Sequence, residues 1–444
     1  MKIVSPLNGQ VIKEIQEDTK DVIHQKYNKA SDAQKDWQHS KLDDRIKIIT
    51  QFSALLEKEV EQLAKDLSDE VGKPLQEARN EVNGARGRIQ FFIENAKKWL
   101  SPTHQHTAGN TIEELSFDPL GVIANISAWN YPFLVGVNVF IPALIAGNAV
   151  LYKPSEFATM TGLSIGRLMK EAGLPSGVFQ VIVGDYHAGE RLLELPLDGY
   201  FFTGSYKTGK YIAERVASKL VPIGLELGGK DPLYVTEDVQ DLKQVAGAVA
   251  EGCFYNNGQS CCAVERVYIH EKVYDQFVPL FLEEVKAFTT GAITRSAHLD
   301  FLQKQVDDAL KKGAKLELGG KKGSTEGSYF ESTVLTNVNH EMLVMKEETF
   351  GPIIGLMKVK TDQEAIKLMN DCEYGLTASV YSKNIERAKK IIAQVDSGTS
   401  YINCCDRVSP YLPWSGRNKS GLGSTLSYLG ILAFAKPRGW HIRS

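Results

Sequence analysis

The sequence predicts an α/β fold with a doubly wound, largely parallel sheet, followed by a second α/β domain. From about residue 120, short β-rich runs alternate with helical segments, which is the pattern of successive βαβ units. One helical segment, "TMTGLSIGRLMKEAGLP", contains the Gly and Pro that mark a helix end. The same alternation continues beyond Gly229, and 444 residues are enough for two or three domains.

The N-terminal part, from about residue 20 to residue 100, has the periodicity of helices. Apolar residues recur at steps of three and four in "RIKIITQFSALLEKEVEQLAKDL", at Ile46, Ile49, Leu56, Val60, Leu63 and Leu67. The segment "DEVGKP" interrupts this pattern, and a second helical run reaches Trp99. A polar stretch follows, and "TIEELSFDPLG" then alternates and turns, which predicts an arm or a hairpin.

The predicted strands form two groups along the chain. The first group comprises "GVIANISAW", "NAVLYKP", "VFQVIVG", "GYFFTGS" and "VPIGLELGG". The second group comprises "DPLYVTED", "AVERVYIH", "PIIGLMKV", "TASVYS" and "TSYIN". Residues 132–151 are apolar and long enough to span a membrane, but they are interrupted by Asn138, Pro142, Gly147 and Asn148. We therefore expect a buried helix followed by a strand there.

Composition and charge exclude several classes of protein. Apolar residues make up 43% and charged residues 24%, and the formal net charge of −3 provides no basic field for nucleic acid. The first residues, "MKIVSPLNGQ", contain no apolar core of a secretory signal. The six cysteines form no C-x-x-C pair, so we expect a reducing, cytoplasmic setting. The nine histidines form no metal-binding motif, and we expect no metal site.

Two adjacent cysteines, Cys261 and Cys262, stand between polar loop residues and an apolar run in "YNNGQSCCAVERVYIH". The residues alone leave four interpretations open: half of a disulfide, metal ligands, buried packing, or a nucleophile. The dinucleotide signature G-x-G-x-x-G is absent. In "FFTGSYKTGKYIAERV", Gly204 allows a tight turn and Ser205 can cap a helix whose free N–H groups suit a phosphate. Taken alone, such a junction is more often just a turn.

Glu226, in "GLELGGKDP", comes at the end of a predicted strand. Desolvation there would raise the pKa of its carboxyl group and make it a candidate base, whereas the simpler alternative is pairing with Lys or Arg. The 35 residues from Glu226 to Cys261 are enough for one helix plus loops that return the chain to the same sheet edge. Trp129, Tyr131 and Phe350 lie beside turns, and core packing is the default interpretation for them.

Seven segments in order along the chain carry a resemblance to a known family. They are "SAWNYPF", "LYKPSE", "FTGS", "LELGGK", "NNGQSCCAVER", "EETFGPI" and "PWSGRNKSGLG". Together they resemble the aldehyde dehydrogenases, from about residue 4 to the C-terminal end. The resemblance implies a Rossmann-like cofactor domain (1–100 and 120–228), an α/β catalytic domain (229–420) and a small oligomerisation arm (101–119 and 430–444). The active site would lie between the two large domains.

The resemblance implies a mechanism based on a cysteine thiolate. The family's nucleophile lies two places after a Gly-Gln pair, which is Cys261 here, and Cys262 is then a bystander that points inward. Asn130 and the backbone N–H of Cys261 would stabilise the alkoxide, and such donors contribute roughly 3–4 kcal/mol each. After hydride leaves for the nicotinamide, Glu226 would activate the water that hydrolyses the thioester. Relatives that transfer the acyl group to coenzyme A usually lack this carboxylate, so we expect a free carboxylic acid.

The resemblance also implies a set of cofactor-binding residues. They are Trp129, Lys153, Glu156, Gly204, Ser205, Glu348 and Phe350. Lys153 and Glu156 match residues that hold the adenosine ribose, and Gly204 and Ser205 match the pyrophosphate turn. Because a carboxylate accepts hydrogen bonds from ribose hydroxyls but repels a 2′-phosphate, Glu156 favours NAD over NADP.

The aldehyde is less well defined by the sequence. The residues that the resemblance implies for the acyl pocket are Tyr131, Asn138, Tyr255, Arg407, Val408 and Trp414. Tyr255 and Trp414 indicate an apolar or aromatic wall, whereas Arg407 could pair with a distal carboxylate. The alternative for Arg407 is an arginine on a surface loop. Medium aliphatic, aromatic and acidic aldehydes all stay open.

The C-terminal segment departs from the family pattern, in which the last strand joins a neighbour's sheet. The sequence "GWHIRS" is short for that role, and Pro437 limits strand pairing. We still expect a homodimer or homotetramer, with a small-molecule aldehyde as the partner and neither nucleic acid nor a membrane. Two rivals remain: an enzyme that acylates coenzyme A, and a non-catalytic structural protein on the same fold. Glu226 argues against the first, and intact Cys261, Glu226 and Asn130 argue against the second.

Overall fold

The structure, a computed structural model, describes residues 1–323 and 326–443. Residues 324–325 and Ser444, which belong to the expected catalytic domain and arm, lie outside the described residues. The helices are α1 Lys20–Trp37, α2 Leu42–Lys58, α3 Val60–Val71, α4 Leu75–Leu100, α5 Pro132–Ile145, α6 Thr159–Glu171, α7 Tyr186–Glu194, α8 Tyr206–Val216, α9 Leu242–Phe254, α10 Glu271–Ala287, α11 His298–Lys311, α12 Leu343–Lys346, α13 Asp362–Asn370, α14 Ile385–Ile392 and α15 Ser427–Leu432. The strands are β1 Lys2–Val4, β2 Val11–Glu14, β3 Thr103–Ala108, β4 Thr111–Pro119, β5 Val122–Ile126, β6 Ala149–Lys153, β7 Phe179–Val181, β8 Gly199–Thr203, β9 Ile223–Glu226, β10 Asp231–Val235, β11 Val264–His270, β12 Lys315–Leu318, β13 Thr333–Thr336, β14 Ile353–Val359, β15 Tyr374–Gly375, β16 Thr377–Tyr381, β17 Thr399–Ile402, β18 Arg417–Asn418, β19 Gly421–Leu422 and β20 Ala435–Arg443.

The first large sheet has, within the described residues, the strand order β19–β9–β8–β5–β6–β7. Its strands from β9 to β7 are parallel, and β19 at the edge is antiparallel to β9. The chain runs outward through β6 and β7 and then returns past β5 to β8 and β9, so the sheet is doubly wound. Successive residues of β5 face opposite layers: Ile123 packs with α2–α6, and Ala124 packs with α1, α7 and α8. The predicted fold class is therefore confirmed for this half of the chain.

The second large sheet has the order β12–β13–β14–β11–β10–β16–β17 in the described residues. Its strands from β13 to β17 are parallel, and β12 pairs antiparallel with β13 at one edge. In β10, Leu233 packs against α9 and α10, whereas Tyr234 packs against α11, α13 and α14. Helices thus cover both faces, as the alternation after Gly229 predicts.

The arm is an antiparallel sheet of β20, β4 and β3. The C-terminal segment is not as short as expected, because β20 runs from Ala435 to Arg443 and pairs with β4 along its whole length. The expected limit on pairing with a neighbour's sheet stays a prediction. Pro437 lies opposite Phe117 in this register. A proline is tolerated here because β20 is an edge strand, on which a missing N–H can face away from the neighbouring strand. The strand leaves most of its side chains exposed.

The helical segments of the structure test two further predictions. Residues 132–151 form α5, which is buried along most of its length, followed by β6, as expected. No helix among the described residues is long and apolar enough to cross a membrane. The apolar stripe of residues 45–67, by contrast, does not form one helix, because Glu59 leaves helical geometry (φ −106°, ψ 11°) between α2 and α3. The stripe continues across this break, so periodicity alone does not reveal it.

Candidate active site

The candidate site lies where the two large sheets face each other. Strands β5, β6, β8 and β9 of the first sheet end beside it, and the segments that precede β11 and β14 of the second sheet approach from the other side. Loops at the carboxyl ends of parallel strands are where α/β folds build their binding sites. Between them is a cavity of about 530 Å³. All three predicted catalytic residues and all seven predicted cofactor residues line it.

Cys261 is placed by a tight turn that ends helix α9. Asn256, Asn257 and Gly258 all have positive φ angles, of 53°, 58° and 69°. A Cβ atom on Gly258 would lie 2.4 Å from the backbone oxygen of Gly351, so the close approach of the second sheet's loop requires glycine here. The turn presents Cys261, which is partly exposed, to the cavity.

Cys262 points away from the cavity, into the protein. It is 4% exposed, and its thiol donates to Oδ1 of Asp406 at 3.0 Å. A hydrogen bond with Cys261, together with burial, raises the pKa of Cys262 well above its usual value. The structure therefore separates two chemically identical neighbours: one thiol reaches the cavity, and the other stays a protonated, buried hydrogen-bond donor.

Asn130 is tied to the loop that carries Cys261. Its Nδ2 donates to the backbone carbonyl oxygen of Gln259 at 3.1 Å, and its backbone carbonyl oxygen accepts from Nδ2 of Asn256 at 3.1 Å. The same carbonyl accepts from Nζ of Lys73 at 2.8 Å, and Lys73 forms an ion pair with Glu81 in which both side chains are fully buried. Because an amide carries two N–H groups, the second one of Asn130 is left for an oxygen atom in the cavity.

Glu226 is the last residue of β9, and its two carboxyl oxygens have different surroundings. Oε1 accepts from Oγ1 of Thr425 at 3.0 Å, whereas Oε2 has no hydrogen-bond partner among the described residues. Burial raises the pKa of Glu226 to about 8. The desolvation that the sequence suggested therefore dominates over pairing with Lys or Arg, and the carboxyl group titrates close to neutral pH.

The part of the cavity lined by β6, β8 and α8 has the features of a dinucleotide site. Ser205 caps α8, because its Oγ accepts from the backbone N–H of Thr208 at 3.4 Å. A Cβ atom on Gly204 would lie 2.4 Å from the ring of Phe202, so the tight approach of the turn requires glycine. Lys153 is buried, which lowers the pKa of its ammonium group, and its Nζ lies 4.0 Å from Oε2 of Glu156. A capped helix start beside a lysine and a carboxylate fits the phosphates and ribose of NAD(P).

The opposite wall carries Glu348 and Phe350. Oε1 of Glu348 accepts from the backbone N–H of Gly229 at 2.9 Å, and burial, with the neighbouring Glu265, raises the pKa of Glu348 to about 8. Phe350 has a φ angle of 48°, and its ring meets that of Trp129 edge to face at 5.5 Å. These side chains supply a carboxyl acceptor and an aromatic wall to the cavity, which suits a ribose with an attached ring.

Glu265 was missed by the sequence analysis. It is buried in β11, accepts from the backbone N–H groups of Thr349 and Phe350 at 2.8 and 2.9 Å, and pairs with Lys230 at 2.7 Å. It therefore holds the segment that carries Glu348. The signal was present in "AVERVYIH", where a glutamate stands in a strand that is buried at every position. Arg295 and His298, which also line the cavity, were missed too, and the sequence around them carries no comparable signal.

The six predicted acyl-pocket residues are not brought together around this cavity; none of them is among its described lining residues. Tyr131 lies under Nζ of Lys73, and Asn138 and Tyr255 accept from helix α4. Trp414 and Val408 belong to or pack against the main core. Arg407 is exposed, lies 3.8 Å from Glu251, and lines a separate cavity of about 110 Å³.

Comparison with known proteins matches the sequence of this chain to one protein family. The sequence pattern of the aldehyde dehydrogenase family matches residues 1–438. The chain belongs to the aldehyde dehydrogenase family. Peroxisomal aminoaldehyde dehydrogenase 1 of Pisum sativum is 34% identical over 414 residues, which are 89% of this chain and 82% of that protein.

Solved aldehyde dehydrogenase structures superimpose on the whole chain. An NAD-dependent aldehyde dehydrogenase from Sinorhizobium meliloti matches with a TM-score of 0.96 and 32% identity, over 100% of this chain and 91% of that one. An indole-3-acetaldehyde dehydrogenase in complex with NAD+ matches with a TM-score of 0.97 and 27% identity, over 100% and 93%. This chain is thus an oxidoreductase that acts on aldehydes with NAD or NADP as the acceptor.

Proposed function

We propose that this aldehyde dehydrogenase oxidises its substrate to a free carboxylic acid through a thioester on Cys261. One observation carries the proposal: Cys261, Asn130 and Glu226 line the same cavity as the residues that suit the dinucleotide. A nucleophile, an oxyanion donor and a base thus meet beside a cofactor site, as acyl chemistry on an aldehyde requires.

The first half of the reaction forms a bond between the sulfur of Cys261 and the carbonyl carbon. The C=O electron pair moves to oxygen, and the free N–H of Asn130, with the backbone N–H of Cys261, donates to the resulting alkoxide. NAD(P), when bound, supplies the acceptor for the hydride that leaves this carbon. The alkoxide then collapses to C=O, and the acyl group stays on sulfur as a thioester.

The second half hydrolyses the thioester. The unpartnered Oε2 of Glu226 accepts a proton from water, whose oxygen attacks the acyl carbon and releases the carboxylic acid and the thiolate. Glu226 is our reason to favour hydrolysis over transfer to coenzyme A. Incubation of the enzyme with aldehyde and NAD, with and without coenzyme A, tests this choice: we expect the acid as product in both, and an acyl-coenzyme A product would contradict it.

Two variants test the roles of the residues. A Cys261→Ala variant should lose aldehyde oxidation, and turnover at the wild-type rate would overturn the mechanism. Cys262→Ala is the matched control, because its side chain points to Asp406, and this variant should keep a working nucleophile. If the wild-type chain turned over none of a panel of aldehydes, including succinic semialdehyde and benzaldehyde, the non-catalytic alternative would stand.

We further propose NAD as the preferred cofactor, because Glu156 lines the site and its carboxylate would repel a 2′-phosphate. Absorbance assays with NAD and with NADP test this, and Glu156→Gln should raise activity with NADP relative to NAD. An equal preference in the wild type would contradict it.

We also propose a homodimer or homotetramer that works in the cytoplasm. Nearly all residues of β3 and β20 are exposed in the single chain, including Trp440, at 45%, and Ile442, at 43%. An edge strand with exposed apolar residues is suited to pair with another copy. Light scattering on the full chain and on a chain that ends at residue 434 tests this: the truncated chain should form oligomers of lower mass.

All six cysteines are free, which agrees with a reducing compartment. The domain bounds implied by the resemblance (1–100 and 120–228, 229–420, and the arm 101–119 and 430–444) remain our proposal.

A further inference from the structure

A half-buried cation interacts with Cys261 from outside the cofactor cavity. Arg88, on α4, interacts electrostatically with Cys261, Cys262 and Tyr131, yet it does not line the cofactor cavity. Its Nη1 donates to the carbonyl oxygen of Leu134 at 3.3 Å and to Oδ1 of Asn138 at 3.0 Å, both on α5. Arg88 therefore approaches the nucleophile from the cleft between α4 and α5.

The charge of Arg88 has no ion-pair partner in the described part of the chain. No carboxylate among the described residues lies within 4.0 Å of its guanidinium nitrogens, and both acceptors of Nη1 are neutral oxygens. Glu81, the nearest acid by electrostatic effect, is already paired with Lys73. Burial lowers the pKa of Arg88 to about 10, so the group stays charged at neutral pH. A half-buried charge without a counter-ion is suited to receive an anion.

Two donors of the same guanidinium group are left over. Nε and Nη2 make no hydrogen bond to any described residue, and together they form one edge of the planar fork that matches the two oxygens of a carboxylate. The neighbouring Arg86 also has an Nε without a partner among the described residues, but its Nη2 pairs with Glu57 at 2.8 Å. Of these two arginines on α4, only Arg88 therefore has no ion pair among the described residues.

Helix α4 presents only a small residue one turn before Arg88. Long helical side chains lie back over the residue one turn earlier, which is Gly84 for Arg88. Gly84 has no side chain to cover the guanidinium, and a Cβ atom there would already contact Leu134 at 3.4 Å. Asn138, which the sequence placed in the acyl pocket, lies on the far side and orients Nη1. The packing of α4 on α5 thus combines a small residue with an oriented cation.

We propose that Arg88 binds a carboxylate at the far end of the substrate, so that this enzyme prefers aldehydes that are also carboxylic acids. The inference rests on the proposed function, because it assumes that the aldehyde carbon reacts at Cys261. Arg88 thereby takes the role that the sequence analysis gave as one possibility for Arg407, which is exposed in the structure and lines another cavity.

The test compares pairs of substrates of equal chain length: succinic semialdehyde with butanal, and glutaric semialdehyde with pentanal. We expect wild-type enzyme to have the higher kcat/KM for the acid of at least one pair. In Arg88→Met, the ratio of kcat/KM for acid over neutral aldehyde should fall by about 100-fold, mainly through KM, because a charge-assisted, two-point hydrogen bond is lost. Arg88→Lys, which keeps the charge but not the fork, should recover part of this ratio.

Controls separate specificity from a structural role and from failure of the proposed function. Arg86→Met removes an arginine of the same helix and should leave the acid-to-neutral ratio unchanged. If Arg88→Met lowers kcat/KM equally for both members of a pair, Arg88 only supports the fold and the inference is wrong. If Arg88→Met does not fold, the wild-type ratio and Arg88→Lys decide alone, and a wild-type ratio near one overturns the inference. Wild-type enzyme that oxidises neutral aldehydes without preferring acids refutes the inference only, whereas no oxidation of any aldehyde refutes the proposed function.

Discussion

The pH dependence of thioester hydrolysis follows from the environment of Glu226. Burial raises the pKa of its carboxyl group to about 8, and only the deprotonated form can take a proton from water. The rate should therefore rise with pH: about one tenth of Glu226 is ionised at pH 7 and about nine tenths at pH 9, if the pKa is about 8. We expect hydrolysis to be roughly tenfold faster at the higher pH, because the ionised fraction rises about tenfold.

Rapid mixing of enzyme, NAD and aldehyde separates the two halves of the reaction, because NADH absorbance rises in a first burst and then at the steady rate set by hydrolysis. A Glu226→Gln variant should keep a burst of about one NADH per site but lose about 10²–10⁴-fold in the steady rate, with no rise toward high pH. Thr425→Val removes the hydrogen bond to Oε1, and should raise the pKa of Glu226 and move the profile to higher pH. A wild-type steady rate that stays flat across this pH range, or a Glu226→Gln variant with the wild-type profile, would refute the reasoning.

Three further predictions concern the supports of the site. Lys73→Met should lower the free energy of unfolding by about 3–5 kcal/mol in denaturant titrations, since it strands a fully buried carboxyl group, whereas Lys97→Met, at an exposed pair, should change it by less than about 1 kcal/mol. Gly258→Ala should cost roughly 1–3 kcal/mol of stability and reduce the NADH burst rate at least tenfold, because the added Cβ collides with backbone; a normal burst would contradict this. Ser205→Ala and Thr361→Ala each remove a helix cap worth about 1 kcal/mol, but only Ser205→Ala should weaken NADH binding measured by fluorescence, and equal binding in both would count against the cofactor role.

Much of the fold could be predicted because its signals are local. The apolar strand runs and the helix ends between them lie within short windows, and they gave the two parallel sheets in chain order. The break at Glu59 and the full pairing of β20 could not be predicted in this way. Both depend on what the segment packs against: periodicity is blind to a bend that preserves the apolar stripe, and Pro437 is acceptable only because its strand lies at an edge.

The candidate site also contains residues that could be predicted from the sequence and residues that could not. Cys261, Glu226 and Asn130 could be named from short motifs because these motifs resemble those of the aldehyde dehydrogenases; the residues alone left several interpretations open. The residues that hydrogen-bond to these groups could not be predicted from the sequence, because their contacts join distant parts of the chain. Lys73 donates to the backbone carbonyl of Asn130 across 57 positions, and Thr425 donates to Glu226 across 199. Arg88 carried no motif, and only the packing of α4 on α5 shows its free edge.

The sequence by itself determined the α/β class and the order of the strands along the chain, because these depend on hydrophobic periodicity, and its family motifs named the candidate reacting groups. Only the tertiary structure decided which group accepts from the buried thiol of Cys262, how far the pKa of Glu226 moves, and where Arg88 lies, which has no counter-ion among the described residues. The physical reason is that burial and electrostatic effects are set by all the atoms around a group, and most of those atoms come from remote segments of the chain.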